Sequence, residues 1–134
     1  MLQVVSVTKG WLYDLVTLQV LSLSYNEIDF IDDDGWEFCK EVYNLNLQGN
    51  QIEIVERNIL RRLPSLKFLN LKDNLISHID ATDSFAEVPD LEALYLDGHK
   101  RQLRQLHMRG LSQALLPGGA NVTNRSAGKD EKYF

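Results

Sequence analysis

Three consecutive aspartates before Gly35 are the first residues in the chain whose spacing suggests chemistry. Asp32, Asp34, Gly35 and Glu41 fall at the third, fifth, sixth and twelfth positions of an EF-hand calcium loop. The first position would be Phe30, which has no oxygen to offer a cation, and no pair of helices is predicted around the loop. We therefore interpret the acidic run as a solvated turn and predict no metal site there.

The histidines and the cysteine do not form a catalytic pattern. His78, His99 and His107 lack the spacing to cysteine or carboxylate that is typical of a metal site. The sequence contains no HExxH motif, phosphate-binding glycine loop or nucleophile elbow. Cys39 takes a position that leucine occupies elsewhere, which predicts a small buried hydrophobic residue with a protected thiol. No cofactor or small-molecule substrate is predicted, and we do not expect an enzyme.

Regular spacing is instead found among the apolar residues. The octapeptide that begins at Leu45, LNLQGNQI, has the pattern L-x-L-x-x-N-x-I, and the pattern recurs 24 residues earlier from Leu21 and 24 residues later from Leu69. One further period, now of 25 residues, begins at Leu94 and has His99 at the asparagine position. Such a repeat is one coil of a solenoid, because its apolar face is covered only when another coil stacks on it.

Each L-x-L pair predicts a short strand whose leucines point into the core. Asn26, Asn50 and Asn74 follow these strands, and their amides can bond the turning backbone of their own and adjacent coils. We therefore predict a structural role for them. The predicted fold class is α/β repeat, a leucine-rich-repeat solenoid with a short parallel sheet on the concave side and irregular or short helical turns on the convex side.

The same frame predicts how the chain is organised. We interpret residues 1–14 as the back half of a truncated repeat. Residues 102–116 have loosely helical leucine spacing and suggest a short helix that caps the end of the solenoid. Residues 117–134 are poor in apolar side chains, which predicts a disordered tail. The repeats, within 15–101, are assigned to residues 15–38, 39–62, 63–87 and, incompletely, 88–101.

The outward positions of the concave sheet are the predicted binding surface, because they mix aromatic, amide and charged groups. Exposed aromatic residues on a rigid sheet give a partner a large contact area at little entropic cost. An unused surface is the alternative. The predicted partner-binding residues are Tyr25, Tyr43, Asn46, Phe68, Asn70, Lys72, Tyr95 and Asp97.

Composition and charge narrow the classes of partner and compartment. A net charge of -5 argues against general nucleic-acid binding, which depends on many Lys and Arg contacts to phosphate. One cysteine allows no internal disulfide and is compatible with the cytosol. Residues 1–7 are too short for a signal peptide, and the sequence has no apolar run long enough to span a membrane. Two sequons make Asn121 and Asn124 glycosylation candidates if the chain is secreted, whereas chance explains them otherwise.

Residues 4–101 resemble the typical leucine-rich repeats of extracellular receptors and adhesion proteins, and more narrowly the ectodomain of the LRIG family. The resemblance is carried by Gly35-Trp36-Glu37-Phe38-Cys39, by Ile76-Ser77-His78-Ile79 and by the longer segment 80–85. It implies a fragment of a single-pass, cell-surface protein that binds growth-factor or bone-morphogenetic-type (BMP-type) receptors and tunes their signalling, usually downward. The rest of that architecture is missing here, including a signal peptide, immunoglobulin-like domains and a transmembrane helix.

Two functional hypotheses therefore stand. The first is a non-catalytic, protein-binding repeat module derived from a cell-surface regulator, with a receptor ectodomain as its partner. The second is an intracellular repeat adaptor or phosphatase-regulatory scaffold, which would explain Met1, the single cysteine and the absence of a signal peptide. Occupied glycosylation sites in cells would exclude a purely cytosolic chain.

Overall fold

A computed structural model describes residues 3–80 and 85–98, together with the backbone of residues 121–126 and 129–131. The predicted capping helix at residues 102–116 lies outside these described residues. In chain order the elements are strands β1 (Ser6–Val7), β2 (Val20–Ser22), β3 (Phe30–Ile31), β4 (Asn44–Asn46) and β5 (Ile54–Val55), helix α1 (Arg57–Leu60), strands β6 (Phe68–Asn70) and β7 (His78–Ile79), a 3₁₀ turn (Phe85–Glu87), and strands β8 (Ala93–Tyr95), β9 (Asn121–Ser126) and β10 (Lys129–Glu131).

One sheet joins successive coils along the concave side. Strands β2, β4, β6 and β8 pair in parallel, and their central residues Leu21, Leu45, Leu69 and Leu94 are aligned across the sheet. Leu45, Leu69 and Leu94 are fully buried, because each leucine is covered by the coils on either side. This arrangement confirms the predicted parallel-sheet solenoid.

A second set of strands runs along one flank of the solenoid, but it is not continuous. Strand β1 pairs in parallel with β3, and β5 pairs in parallel with β7. The sheet topology contains no pairing between β3 and β5 within the described residues. The inward residues of this flank, Val7, Ile31, Val55 and Ile79, are all buried, so the core continues across the interruption.

Short turns cover the convex side, as the repeat length predicts. Helix α1 has only four residues, and it buries Ile59 and Leu60. The large side chains of Trp36, Leu60 and Phe85 fill the space beneath the turns and are each at most 2% exposed. Trp36 also donates from its indole nitrogen to the carbonyl oxygen of Ile59 over 2.8 Å. This apolar part of the core therefore also contains a hydrogen bond between two coils.

The asparagine column satisfies the turning backbone. Asn50 donates from Nδ2 to the carbonyl oxygens of Leu23 (3.0 Å) and Leu47 (2.9 Å), and its Oδ1 accepts from the amide of Ile28 (3.0 Å). Asn74 makes the corresponding contacts one coil further on. Because these groups are buried, each side chain replaces hydrogen bonds that water cannot supply. The structural role predicted for these asparagines is confirmed.

The prediction of a disordered tail is wrong for residues 121–126 and 129–131. Strand β9 pairs in parallel with β8, and β10 folds back on β9 in antiparallel pairing. The tail therefore extends the concave sheet to six strands in the order β10-β9-β8-β6-β4-β2. Composition gave no sign of this, because the pairing uses backbone groups at the edge of β8, which any residue except proline can supply.

The acidic run forms a turn and two surface ion pairs. Asp32 Oδ1 accepts from the amide of Asp34 over 3.0 Å. Asp34 lies 2.8 Å from Arg62, and Asp33 lies 3.8 Å from Arg61, both in the following coil. These carboxylates are therefore engaged in holding adjacent convex turns together, as a solvated turn would allow.

Cys39 lies in the core and is 1% exposed, as its leucine-like position predicts. Burial raises the pKa of the Cys39 thiol to about 11, because the charged thiolate is poorly solvated there. The thiol is therefore protonated at neutral pH and is shielded from reagents in solution.

Candidate functional site

The concave sheet projects one side chain from each coil at the same height. The outward row is formed by Ser22, Asn46, Asn70 and Tyr95, which are aligned by the strand register. Because the leucines between them are fixed in the core, the outward side chains sit on a platform with little freedom to shift. A rigid platform of this kind lowers the entropic cost of ordering a contact surface.

Each strand is followed by a turn with positive φ, at Tyr25 (57°), Gly49 (74°), Asp73 (55°) and Gly98 (80°). Tyr25 and Asp73 adopt this conformation with side chains present, so the need for glycine at position 49 is steric. A Cβ there would lie 2.5 Å from Cδ1 of Tyr25. The absence of a side chain at Gly49 thus allows the Tyr25 ring to lie against the next coil.

Gln48 links three coils of the concave surface. Its Nε2 donates to the hydroxyl of Tyr25 and to Oδ2 of Asp73, each over 3.0 Å. Its Oε1 accepts from Nδ2 of Asn70 over 3.2 Å. The side chains that face solvent are therefore tied to one another before any partner arrives, which reduces the entropy that binding would remove.

A shallow cavity of about 390 Å³ lies on this surface. Amide groups and two aromatic rings line it, so the same cavity offers hydrogen-bond donors, acceptors and apolar contact. The volume falls within the range of about 300–1,000 Å³ that is common for binding pockets. The lining residues are Asn44, Asn46, Phe68, Asn70 and Tyr95.

Ring contacts fix the aromatic residues around the cavity. Tyr43 and Phe68 meet edge to face with their centroids 6.5 Å apart. The ammonium of Lys72 lies 5.4 Å from the centre of the Tyr95 ring, within the range of a cation–π contact. Both contacts join neighbouring coils, so they hold the rings at the rim of the cavity.

The structure brings together four of the eight predicted binding residues in the cavity lining, namely Asn46, Phe68, Asn70 and Tyr95. Of the others, Tyr43 and Lys72 contact the lining rings. Tyr25 lies at the turn after β2, where it is 65% exposed and hydrogen-bonded to Gln48. Asp97 lies in the turn after β8, where its carbonyl oxygen accepts from the amide of Asp73. Asn121 and Asn124 lie in the backbone of β9, on the far side of β8, and their glycosylation stays a prediction.

Two residues of this surface were absent from the predicted set. Gln48 is the centre of the polar hydrogen-bond network. Asn44 is part of the cavity lining. Their positions were visible in the repeat alignment, since Gln48 follows the strand at the height of Lys72. The repeat alignment does not show how far a side chain extends. A glutamine side chain is long enough to contact both adjacent coils, and its neighbours at that height are polar.

Within residues 3–80 and 85–98, no three His, Cys, Asp or Glu side chains are grouped so that they could hold a metal ion. No helix in the described part of the chain has the length and apolarity needed to cross a membrane.

Comparison with known protein families identifies the family of this chain. The leucine rich repeat family profile matches residues 3–52 and residues 40–100. No curated protein matches the chain. The chain belongs to the leucine-rich repeat family, whose solenoids are typically non-catalytic and bind other proteins on extended concave surfaces.

Proposed function

We propose that the chain binds a protein partner through its concave sheet, with the cavity between β4, β6 and β8 as the centre of the interface. The observation that carries the proposal is the combination of amide and aromatic groups in that cavity on a pre-ordered surface. An apolar partner side chain would enter between Phe68 and Tyr95. The amides of Asn46 and Asn70 would then bond the backbone or a polar group of the partner.

The resemblance to the LRIG family suggests the class of partner. We propose a receptor ectodomain of the growth-factor or BMP type, bound by a parent protein at the cell surface. The alternative is an intracellular adaptor or phosphatase-regulatory scaffold, which the single buried cysteine favours because such a chain needs no disulfide. Both proposals use the same concave surface and differ in compartment.

Binding to a purified growth-factor-type or BMP-type receptor ectodomain, measured by surface plasmon resonance, tests the site. Replacing Phe68 or Tyr95 by serine should weaken binding by at least about tenfold, since aromatic residues at the centre of an interface commonly contribute more than about 1 kcal/mol. Phe30→Ser is the matched control, because Phe30 is an exposed aromatic residue on the flank. Equal losses in all three variants would refute the concave site.

Glycan occupancy separates the two compartments. Expression in animal cells behind a secretion signal, followed by glycosidase treatment, shows only whether Asn121 and Asn124 can be modified. The decisive experiment is therefore mass spectrometry of the endogenous protein. Glycans at either asparagine support the cell-surface proposal, and unmodified sequons on a protein that copurifies with cytosol support the adaptor.

A further inference from the structure

A groove opens on the flank of the solenoid where β3 and β5 fail to pair. It has a volume of about 340 Å³ and is lined by residues from both strands and from the start of α1. A smaller depression of about 240 Å³ adjoins it and shares Phe30, Ile31 and Asn58 with it. The groove lies on strands outside the concave sheet, so it is separate from the surface described above.

The hydrogen bonding explains why the groove exists. On either side of it, a backbone amide closes the flank, since Asp32 donates to the carbonyl oxygen of Val7 and Asp80 donates to that of Val55, each over 2.8 Å. At the corresponding place between β3 and β5, the carbonyl oxygen of Ile31 accepts from the side chain of Asn58 over 2.6 Å. A side chain thus spans a gap that a backbone amide closes in the coils on either side.

Two exposed apolar side chains form the walls of this groove. Phe30 is 52% exposed and Ile54 is 46% exposed, although both are large hydrophobic residues in short strands. Adjacent coils place them on opposite sides of the opening, and the buried side chains of Ile31 and Ile59 also line it. An apolar lining of this kind gains free energy when a partner displaces the water from it.

Acidic side chains surround the apolar walls. Asp29, Glu53 and Glu56 are exposed and line the groove. None of the ion pairs within the described residues involves Asp29 or Glu56. Two arginines nearby in sequence are engaged elsewhere, Arg57 with Glu87 over 2.9 Å and Arg62 with Asp34 over 2.8 Å. Asp29 and Glu56 therefore give the groove a local excess of negative charge.

A buried hydrogen-bond acceptor, Oδ1 of Asn58, also lies near the groove. Oδ1 of Asn58 is shielded from water and accepts no hydrogen bond from any residue that the structure describes. A buried acceptor without a partner is unfavourable, so a donor that reaches it gains more than it would at an exposed oxygen. Asn58 lines both depressions, so its side chain lies beside the groove, and a donor there reaches Oδ1 only when that side chain turns toward it.

We propose that the groove binds an arginine-bearing segment of a second protein, in which the arginine is flanked by apolar residues. The aliphatic stem of the arginine packs between Phe30 and Ile54, and its guanidinium stacks on the Phe30 ring. The planar guanidinium has five donors, so it donates to a rim carboxylate while it stacks, and to Asn58 Oδ1 once that side chain turns toward the groove. Lysine fits less well, because its ammonium is a compact charge and cannot stack in this way.

The test uses the whole chain and the synthetic peptide acetyl-Leu-Arg-Leu-Arg-Leu-amide. The matched peptide replaces both arginines by citrulline, which keeps the shape and removes the charge. In ¹H–¹⁵N spectra, the arginine peptide should shift the signals of Phe30, Ile54 and the Asn58 side chain. The citrulline peptide should bind at least about tenfold more weakly, since charge-assisted hydrogen bonds are roughly twice as strong as neutral ones.

Variants locate the contact. Phe30→Ser, and separately Asp29→Asn combined with Glu56→Gln, should each weaken binding of the arginine peptide by about tenfold without lowering the unfolding temperature, because all three side chains are exposed. Tyr95→Ser, on the concave sheet, is the control and should leave this binding unchanged. Added salt should weaken the arginine peptide more than the citrulline peptide.

Three results would overturn the proposal. The first is equal affinity for the two peptides, which would make the groove merely apolar. The second is binding that Tyr95→Ser abolishes and Phe30→Ser leaves intact, which would assign the peptide to the concave sheet. The third is the absence of peptide binding together with a concentration-dependent dimer, in analytical ultracentrifugation, that Phe30→Ser disrupts, since the occupant would then be a second copy. A failure of receptor binding at the concave sheet would leave all these measurements unaffected.

Discussion

The concave sheet and the flank of this solenoid are built from the same repeats, yet one is continuous and the other is interrupted. On the concave side every described coil pairs with the next, from β2 through β8 and on to β9. On the flank, pairing stops between β3 and β5, where Asn58 bridges the gap with a side-chain hydrogen bond. Repetition of the sequence therefore fixes the core of each coil more tightly than its outer surface.

The difference has a physical cause. The concave strands are held by leucines that point into the core and by the asparagines that bond the turn after each strand. The flank strands have only two residues each, and the convex segments that follow them differ between coils. A four-residue helix follows β5, whereas only turns follow β3. Local departures from the repeat thus create the groove.

The leucine column gives the largest expected effect. Leu47→Ala should lower the free energy of unfolding by about 2–5 kcal/mol, because Leu47 is fully buried and its loss leaves a cavity. Asn46→Ala, one residue earlier on the outward face, should cost less than about 1 kcal/mol. Denaturant unfolding followed by circular dichroism measures both. Similar losses for the two variants would break the distinction between core and surface on the concave side.

The asparagine column should have the next largest effect. Asn50→Ala should lower the free energy of unfolding by about 1–3 kcal/mol, because it leaves the buried amide of Ile28 without its partner. It also removes one of the two side-chain donors at each carbonyl oxygen of Leu23 and Leu47. Asn70→Ala is the matched control, since Asn70 is outward and only partly buried. Denaturant unfolding followed by circular dichroism measures the free energy of unfolding of both variants. If Asn50→Ala were as mild as its control, hydrogen bonding would not explain why the concave turns are regular.

The pH dependence of stability tests whether the core that the two regions share excludes water at Cys39. The pKa of the Cys39 thiol is raised from 9.0 to about 11 by burial, so the unfolded chain releases this proton at lower pH than the folded chain. Stability is therefore fully retained below pH 9 and declines as pH rises from 9 to 11, by up to about 1.4 kcal/mol per pH unit.

The comparison of wild type with Cys39→Val isolates this thiol from the tyrosines and lysines that also titrate there. The difference in unfolding free energy between the two proteins should change between pH 9 and 11 and be constant below pH 9. A difference that stays constant through pH 11 would show that water reaches Cys39 in the folded chain.

The smallest expected effect concerns the bridge in the flank. Asn58→Ala should lower the free energy of unfolding by about 1 kcal/mol, the typical contribution of one hydrogen bond at a partly buried site. Amide hydrogen exchange should then accelerate in β3 and β5 and stay unchanged in β4 and β6. Faster exchange throughout the concave strands would mean that the two regions are coupled, contrary to the comparison drawn above.

The regular parts of the fold were predictable because they repeat. The alignment of Leu21, Leu45 and Leu69, and the backbone contacts of Asn50, follow from spacing alone, since each coil needs the same residues at the same places. The aromatic and amide residues of the cavity were also visible, because strand register fixes which side chains face outward.

What the sequence could not show depends on single residues and on backbone pairing. Asn58 occurs once, in a segment that varies between coils, so no periodicity marks it as a bridge. Strand β9 contains Val122 as its one aliphatic residue, and its place beside β8 depends on backbone hydrogen bonds that carry no side-chain signal. Composition predicted disorder there because it reports how many apolar side chains can be buried, and not whether the backbone pairs with a strand.

The alignment of the leucine rungs is the claim on which the core, the outward-facing residues and both proposed binding surfaces depend. Methyl–methyl nuclear Overhauser effects in a leucine-labelled sample test it directly. The account predicts contacts between Leu21 and Leu45, between Leu45 and Leu69, and between Leu69 and Leu94. Contacts shifted by one residue, or none between successive rungs, would contradict it, because the residues assigned here to solvent would then face the core.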